Sequence, residues 1–347
     1  MVTSNSSPPP RQKLPWIRTP LLESSALSKA AGCRVFMKMD LFQPSGSFKS
    51  RGVGNLCLKA VESRPGPIRF YSSSAGNAGL AAVNAARMLG QEATVVVPES
   101  TTELMKAKIR LAGGHVITHG ASWKEADDYI RGLLEVDDQG VYCAPFDHPD
   151  VWEGNATLIG EIIDDLGGAP DAIIASVGGG GLFCGIQGGL EEHGLPNVPI
   201  LAVETEGAAS LNASLQAGEL VTLSEITSIA TSLGARQVAS KTFELAKRPN
   251  VKSLVLSDAQ AAMACCKLMD DERIAVEAAC GVSAAVIYYG LLAKVIPNLN
   301  PESRVVLVVC GGSNVTVEIL AGYRKKYGPG DILGDTSDTN IPVTHNI

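Results

Sequence analysis

Ser45-Gly46-Ser47-Phe48-Lys49-Ser50-Arg51-Gly52 sets one lysine in a turn of glycines and serines, shortly after a strand-like run at 33–39. An ordinary surface lysine needs no such setting. A lysine whose amine must form an imine does, because small residues let the backbone approach a bound ligand closely. Lys49 is therefore the first candidate for chemistry.

On either side of this octet, short β-branched runs alternate with helical patterns. Strands are expected at 68–72, 93–98, 115–118 and 141–144, with helices at 78–89, 102–112 and 122–134 between them. The rhythm resumes with strands at 172–177, 200–204, 253–256 and 305–309 and a helix at 258–268. Strand–helix–strand alternation predicts an α/β fold with parallel sheets covered by helices. Pro145 and Pro149 interrupt it, which suggests a smaller domain at 43–146. A larger domain is then built from 13–42 plus 147–327. Segments 1–12 and 328–347 are rich in Ser, Pro, Gly, Asp and Thr and read as flexible tails.

Composition narrows the function class. Of 347 residues, 45% are hydrophobic and 19% charged, enough apolar material for about two packed domains. Twenty-nine basic residues face 36 acidic ones, a net charge of −7 with no basic stripe, which argues against nucleic-acid and anionic-membrane partners. No apolar run reaches the ~18 residues of a membrane span. The first ten residues lack the basic and apolar regions of a secretory signal. Eight cysteines are scattered without a CxxC pair, so neither zinc nor a disulfide framework is indicated. Reduced, buried thiols in a cytoplasmic protein are the expectation.

Three further segments carry chemistry. Ser72-Ser73-Ser74-Ala75-Gly76-Asn77-Ala78-Gly79 joins a strand to a helix N-terminus, where unpaired amides and the positive dipole end suit an anion such as a carboxylate. Gly178-Gly179-Gly180-Gly181, after the strand ending at Ser176-Val177, gives a backbone able to wrap a phosphate with no Cβ in the way. It is no P-loop, lacking the Gly-Lys-Ser/Thr ending, and it misses the third glycine of GxGxxG. Val308-Val309-Cys310-Gly311-Gly312-Ser313-Asn314 ends a strand in a thiol and a glycine turn.

In combination and order, these four segments resemble pyridoxal-phosphate enzymes of the tryptophan-synthase-β type, most closely the serine/threonine dehydratases, from about residue 19 to 323. The resemblance implies a two-domain fold type II enzyme binding pyridoxal 5'-phosphate. It makes Lys49 the imine lysine and the base for the substrate α-proton, and puts Phe48 against one face of the ring. The Gly178, Gly179, Gly180 and Gly181 loop takes the cofactor phosphate. Ser74, Ala75 and Gly76 grip the substrate carboxylate, and Asn77 also bonds the ring hydroxyl. Cys310 is the neutral partner of the ring nitrogen, a place where many other pyridoxal enzymes have Asp or Arg.

The resemblance extends to a monovalent-cation site, such as one for K+, made by the Glu204 carboxylate and carbonyls near Ala208, Leu233 and Ala235. Ser232 is implied to face the ring opposite Phe48, a departure from the alanine usual there. A small amino-acid substrate and a homodimer follow as further implications. Serine would give pyruvate and ammonia; threonine would give 2-oxobutanoate and ammonia. Alternatives are a serine racemase, a β-replacement enzyme of the same fold, or a non-catalytic pyridoxal-phosphate-binding protein. A racemase needs a second acid/base, and Ala75, at the matching position, cannot transfer a proton.

Overall fold

The computed structural model describes residues 13–328; the expected tails at 1–12 and from 329 onward lie outside the described residues. The strands are β1 Leu21–Glu23, β2 Arg34–Lys38, β3 Arg69–Ser72, β4 Glu92–Val97, β5 His115–Thr118, β6 Gly140–Tyr142, β7 Ala172–Ser176, β8 Ile200–Thr205, β9 Val251–Leu256 and β10 Arg304–Val308. The first seven helices are α1 Ser25–Ala31, α2 Lys49–Ser63, α3 Asn77–Met88, α4 Glu103–Leu111, α5 Trp123–Glu135, α6 Pro149–Leu166 and α7 Gly181–Glu192. The rest are α8 Ser210–Ala217, α9 Ser240–Ala246, α10 Asp258–Glu272, α11 Ala278–Tyr288, α12 Leu292–Val295 and α13 Val317–Tyr327.

Two sheets organise the chain. The larger runs β1-β2-β10-β7-β8-β9 and is parallel except for β1. The smaller runs β5-β4-β3-β6 and is parallel throughout. β7 and β8 are buried along their whole length, as expected of strands covered by helices on both faces. Helix boundaries follow local chemistry. Thr102, Ser122 and Thr316 accept N-cap hydrogen bonds for α4, α5 and α13, and Ser257 and Gln260 form a full capping box on α10. α10 continues four residues past its expected end because Arg273, not an earlier residue, takes the left-handed terminating conformation at φ 61°.

Strand order decides where a ligand can sit. β7 is followed on one side by β8, while β10 returns on its other side beside β2. The strand order thus reverses between β7 and β10, and in open α/β sheets ligands bind at the carboxyl ends of the strands flanking such a reversal. Both the glycine tetrad and Cys310 stand at that edge. Among the described residues no helix is long and apolar enough to cross a membrane, and all eight cysteines are buried free thiols.

Candidate active site

Lys49 is the first residue of α2 rather than the middle of a turn. The helix starts there because the carbonyls of Ser47 and Phe48 already accept from the amides of Ser50 and Arg51, at 3.2 and 2.9 Å. The Ser45 and Ser50 hydroxyls close the preceding loop at 2.8 Å. Ser47 forms an antiparallel bridge with Gly311, and the Phe48 amide donates to the Cys310 carbonyl at 3.1 Å. The lysine loop and the thiol turn are thus sewn together.

Below them lies a charge network. Arg51 is fully buried and donates to both Asp40 oxygens, at 2.8 and 2.9 Å, and to both Glu161 oxygens, at 2.7 and 2.8 Å. Lys38, equally buried, reaches Glu161 at 2.7 Å. Two cations and two carboxylates balance, so the first turn of α2 is held by bonds that cannot be broken singly without stranding a charge.

The Lys49 Nζ donates to the Pro145 carbonyl and stands 5.1 Å from the Phe48 ring centroid. No carboxylate pairs with it among the described residues. Burial of the ammonium lowers its pKa to about 8, because a low-dielectric setting disfavours the charged form. An amine so placed is available as nucleophile and base near neutral pH.

The four glycines adopt a shape that side chains would forbid. A Cβ on Gly179 would lie 2.3 Å from the Phe146 ring, and one on Gly180 1.9 Å from the Thr242 hydroxyl, with φ at +95°. Among the described residues, the amides of Gly178 through Gly181 have no acceptor, and α7 begins at Gly181. A row of unsatisfied N–H groups at a helix N-terminus is a phosphate cradle. The Ser74–Asn77 loop repeats the device at α3. The amides of Ala75, Asn77 and Ala78 likewise lack an acceptor among the described residues, while the Ser74 hydroxyl accepts from Gly76 at 3.3 Å.

Cys310 is buried, with its sulfur 3.7 Å from the Ser176 hydroxyl. Its hydrogen bond with Cys280, and then burial, push the thiol well above its ordinary pKa, so it stays neutral. Asn77, Ser232 and the turn after β10 meet around a residue that motif reading passed over, Glu277. Asn77 reaches the Glu277 carboxylate at 3.2 and 3.3 Å and the Ser232 hydroxyl at 3.4 Å, and accepts from the Ser313 amide at 3.0 Å. Ser232 also borders the glycine tetrad, its carbonyl 3.3 Å from where a Gly178 Cβ would stand. Pro145, Phe146 and Thr242 were equally silent in the sequence, because each acts through its backbone or its bulk.

Glu204 lies apart from this cluster, at the carboxyl end of β8. Its oxygens accept from the amides of Leu211 and Asn212, both at 2.8 Å, where α8 begins. Burial raises its pKa to about 8. Ala208 is buried beside the same turn, and the Leu233 carbonyl accepts from the Ala235 amide at 2.7 Å.

An amine without an acid partner, one anion cradle after β7 of the larger sheet, a second after β3 of the smaller sheet, and a neutral thiol after β10 form a donor set that fits pyridoxal phosphate: the tetrad would hold the phosphate, Lys49 the carbonyl carbon and Cys310 the ring nitrogen. Comparison with known proteins supports pyridoxal-phosphate dependence. A family profile described as pyridoxal-phosphate dependent enzyme matches residues 13–311, and the chain belongs to that family. It is 43% identical to the L-serine dehydratase/L-threonine deaminase of Mus musculus, covering 90% of this chain and 96% of the mouse protein. With a serine dehydratase-like protein of Rattus norvegicus it shares 45% identity over 87% of this chain and 92% of the relative. A fungal L-serine ammonia-lyase from Rhizomucor miehei superposes with a TM-score of 0.85 at 41% identity, covering 90% and 99% of the two chains. The fold is therefore fold type II of the pyridoxal-phosphate enzymes.

Proposed function

We propose that this chain is an L-serine dehydratase that also deaminates L-threonine, releasing ammonia with pyruvate or 2-oxobutanoate. The observation that carries the reading is the Lys49 amine. It is depressed to about 8 by burial, and its loop is bonded to the turn after β10 through the Ser47–Gly311 bridge. Pyridoxal 5'-phosphate, when bound, supplies the electron sink that lets an α-proton and then a β-hydroxyl leave an amino acid.

The protein's own residues do the rest. Amides of Gly178 to Gly181 hold the phosphate, and those of Ala75, Asn77 and Ala78, with the Ser74 hydroxyl, hold the substrate carboxylate. Phe48 and Ser232 bound the ring, and Asn77 donates to its hydroxyl. Lys49 takes the α-proton. Cys310, kept neutral, would offer the ring nitrogen no charge, which favours prompt loss of the β-substituent.

Ala75 has no group to return a proton from the opposite face, so elimination is preferred to racemisation. Replacing Lys49 with Ala is expected to abolish both the cofactor absorbance band and turnover. Retention of either contradicts the assignment.

Three finer points belong to the same proposal. A monovalent cation such as K+ binds the second lone pairs of Glu204 with carbonyls near Ala208, Leu233 and Ala235; a buried carboxylate that accepts from the Leu211 and Asn212 amides supports this. Units 43–146 and 13–42 plus 147–327 act as two domains, each built on one sheet. A cytoplasmic homodimer is the working form: eight buried free thiols suit a reducing compartment, and light scattering decides the dimer.

A further inference from the structure

Glu277 precedes α11 in the N-cap position, yet its carboxylate makes no hydrogen bond to its own helix. Side-chain oxygens of Asp, Asn, Ser or Thr at that position ordinarily accept from the first turn. Here the side chain turns toward Asn77 and Ser232 instead and is buried, 7% exposed. It accepts from Asn77 Nδ2, from the Ser232 hydroxyl, and from the Asn314 amide at 2.7 Å. All of these donors are neutral. Gly312 is shaped around it: a Cβ there would lie 2.2 Å from the Glu277 carboxyl carbon.

The network leaves no ambiguity about Asn77. Its Oδ1 accepts from the Ser313 amide at 3.0 Å and the Ser313 hydroxyl at 2.9 Å, so the carboxamide nitrogen must face the Glu277 carboxylate. One N–H is committed to Glu277. The other makes only the stretched 3.4 Å contact with Ser232, the weakest bond of the set and the one a ligand can take over. Ser232 meanwhile gives its single hydrogen to Glu277. It can therefore offer lone pairs, but no proton, to a ring lying against it.

We propose that Glu277 is a positioning residue that fixes Asn77 with one N–H free for the cofactor ring and holds Ser232 as an acceptor. The inference rests on the reading of this cluster as the pyridoxal-phosphate site. It explains how a serine is accommodated on the ring face without becoming a second proton donor. It also assigns work to a carboxylate that has no other partner in the mechanism. The same charge helps to hold the Cys310 thiol protonated.

The test is a double-mutant cycle on cofactor affinity, read from the absorbance of the loaded lysine before any substrate is added. Glu277→Gln keeps the shape but can no longer accept from Asn77 and Ser232 together. It is expected to weaken pyridoxal phosphate binding ~10-fold in the wild-type background and less than ~2-fold in an Asn77→Ala background, as coupled neighbours do. Melting curves accompany each variant. If Glu277→Gln does not fold, Glu277→Asp, which keeps the charge but shortens the reach, runs the same cycle. Equal losses in both backgrounds, or no loss in the wild-type background, overturn the proposal. A wild-type protein that takes up no cofactor at Lys49 contradicts instead the reading on which it rests.

Discussion

At Lys49 the chemistry depends on what surrounds one amine. Its Nζ has a backbone carbonyl for company and no carboxylate, so burial acts unopposed and brings the proton off near pH 8 rather than in the usual lysine range. Burial penalises the ammonium, so the neutral amine dominates above about 8 and the cation below. In cofactor-stripped protein, modification of Lys49 by an amine-reactive reagent, mapped by mass spectrometry, should rise through a midpoint near ~8. Other lysines should follow about two pH units later. A midpoint for Lys49 near theirs would show that the amine is not desolvated. Glu277 illustrates the opposite case, a carboxylate whose importance no local pattern announces. In the sequence it stands before the alanine-rich stretch of α11 and looks like an ordinary solvated cap. Its burial is created by the Gly311-Gly312 turn, more than thirty residues away.

Among the elements, the strand-to-helix turns carry the binding. Gly180 combines a left-handed φ of +95° with a Thr242 side chain 1.9 Å from any added Cβ, so Gly180→Ala must displace the loop that presents the amides. Cofactor affinity should fall ~5- to 150-fold, the equivalent of ~1–3 kcal/mol of strain, as measured by absorbance titration. Gly188→Ala, on an open face of α7 with nothing within 4 Å, should change nothing; an equal loss in both would dissociate the tetrad from binding. These turns were legible because β-branched runs, glycine clusters and Asn or Ser at helix starts are local signals. The start of α2 at Lys49 was not legible, since it depends on the bridge between Ser47 and Gly311. Nor was the quartet of Arg51, Asp40, Glu161 and Lys38. Scattered over more than a hundred residues, those charges read as surface until packing brings them together.

For the molecule as a whole, the two sheets and their order were only partly foreseeable. Alternation of elements implies parallel sheets, but nothing local says that β10 returns between β2 and β7. That placement is what brings the thiol turn to the lysine loop. Glu204, buried beneath the larger sheet's edge, links the whole fold to pH. Its pKa rises from 4.5 to about 8 on folding, so the unfolded chain gives up this proton first. Stability from this group therefore falls as pH climbs between those values. A cation bound there favours the ionised form and offsets that loss. K+ should raise the melting temperature by ~2–5 °C at pH 8.5 and by less at pH 6. Glu204→Gln should remove the dependence on K+. A K+ effect that is absent, or larger at the lower pH, contradicts the cation assignment.

The most direct test of the central claim is the absorbance spectrum of the purified, cofactor-loaded protein before and after L-serine, with pyruvate assayed in the same cuvette. The expected result is a band near ~410–420 nm, as for lysine-bound pyridoxal phosphate generally. Serine should perturb this band while pyruvate accumulates. A loaded band with neither pyruvate from serine nor 2-oxobutanoate from threonine would contradict the dehydratase reading, and no band after reconstitution would contradict the site itself.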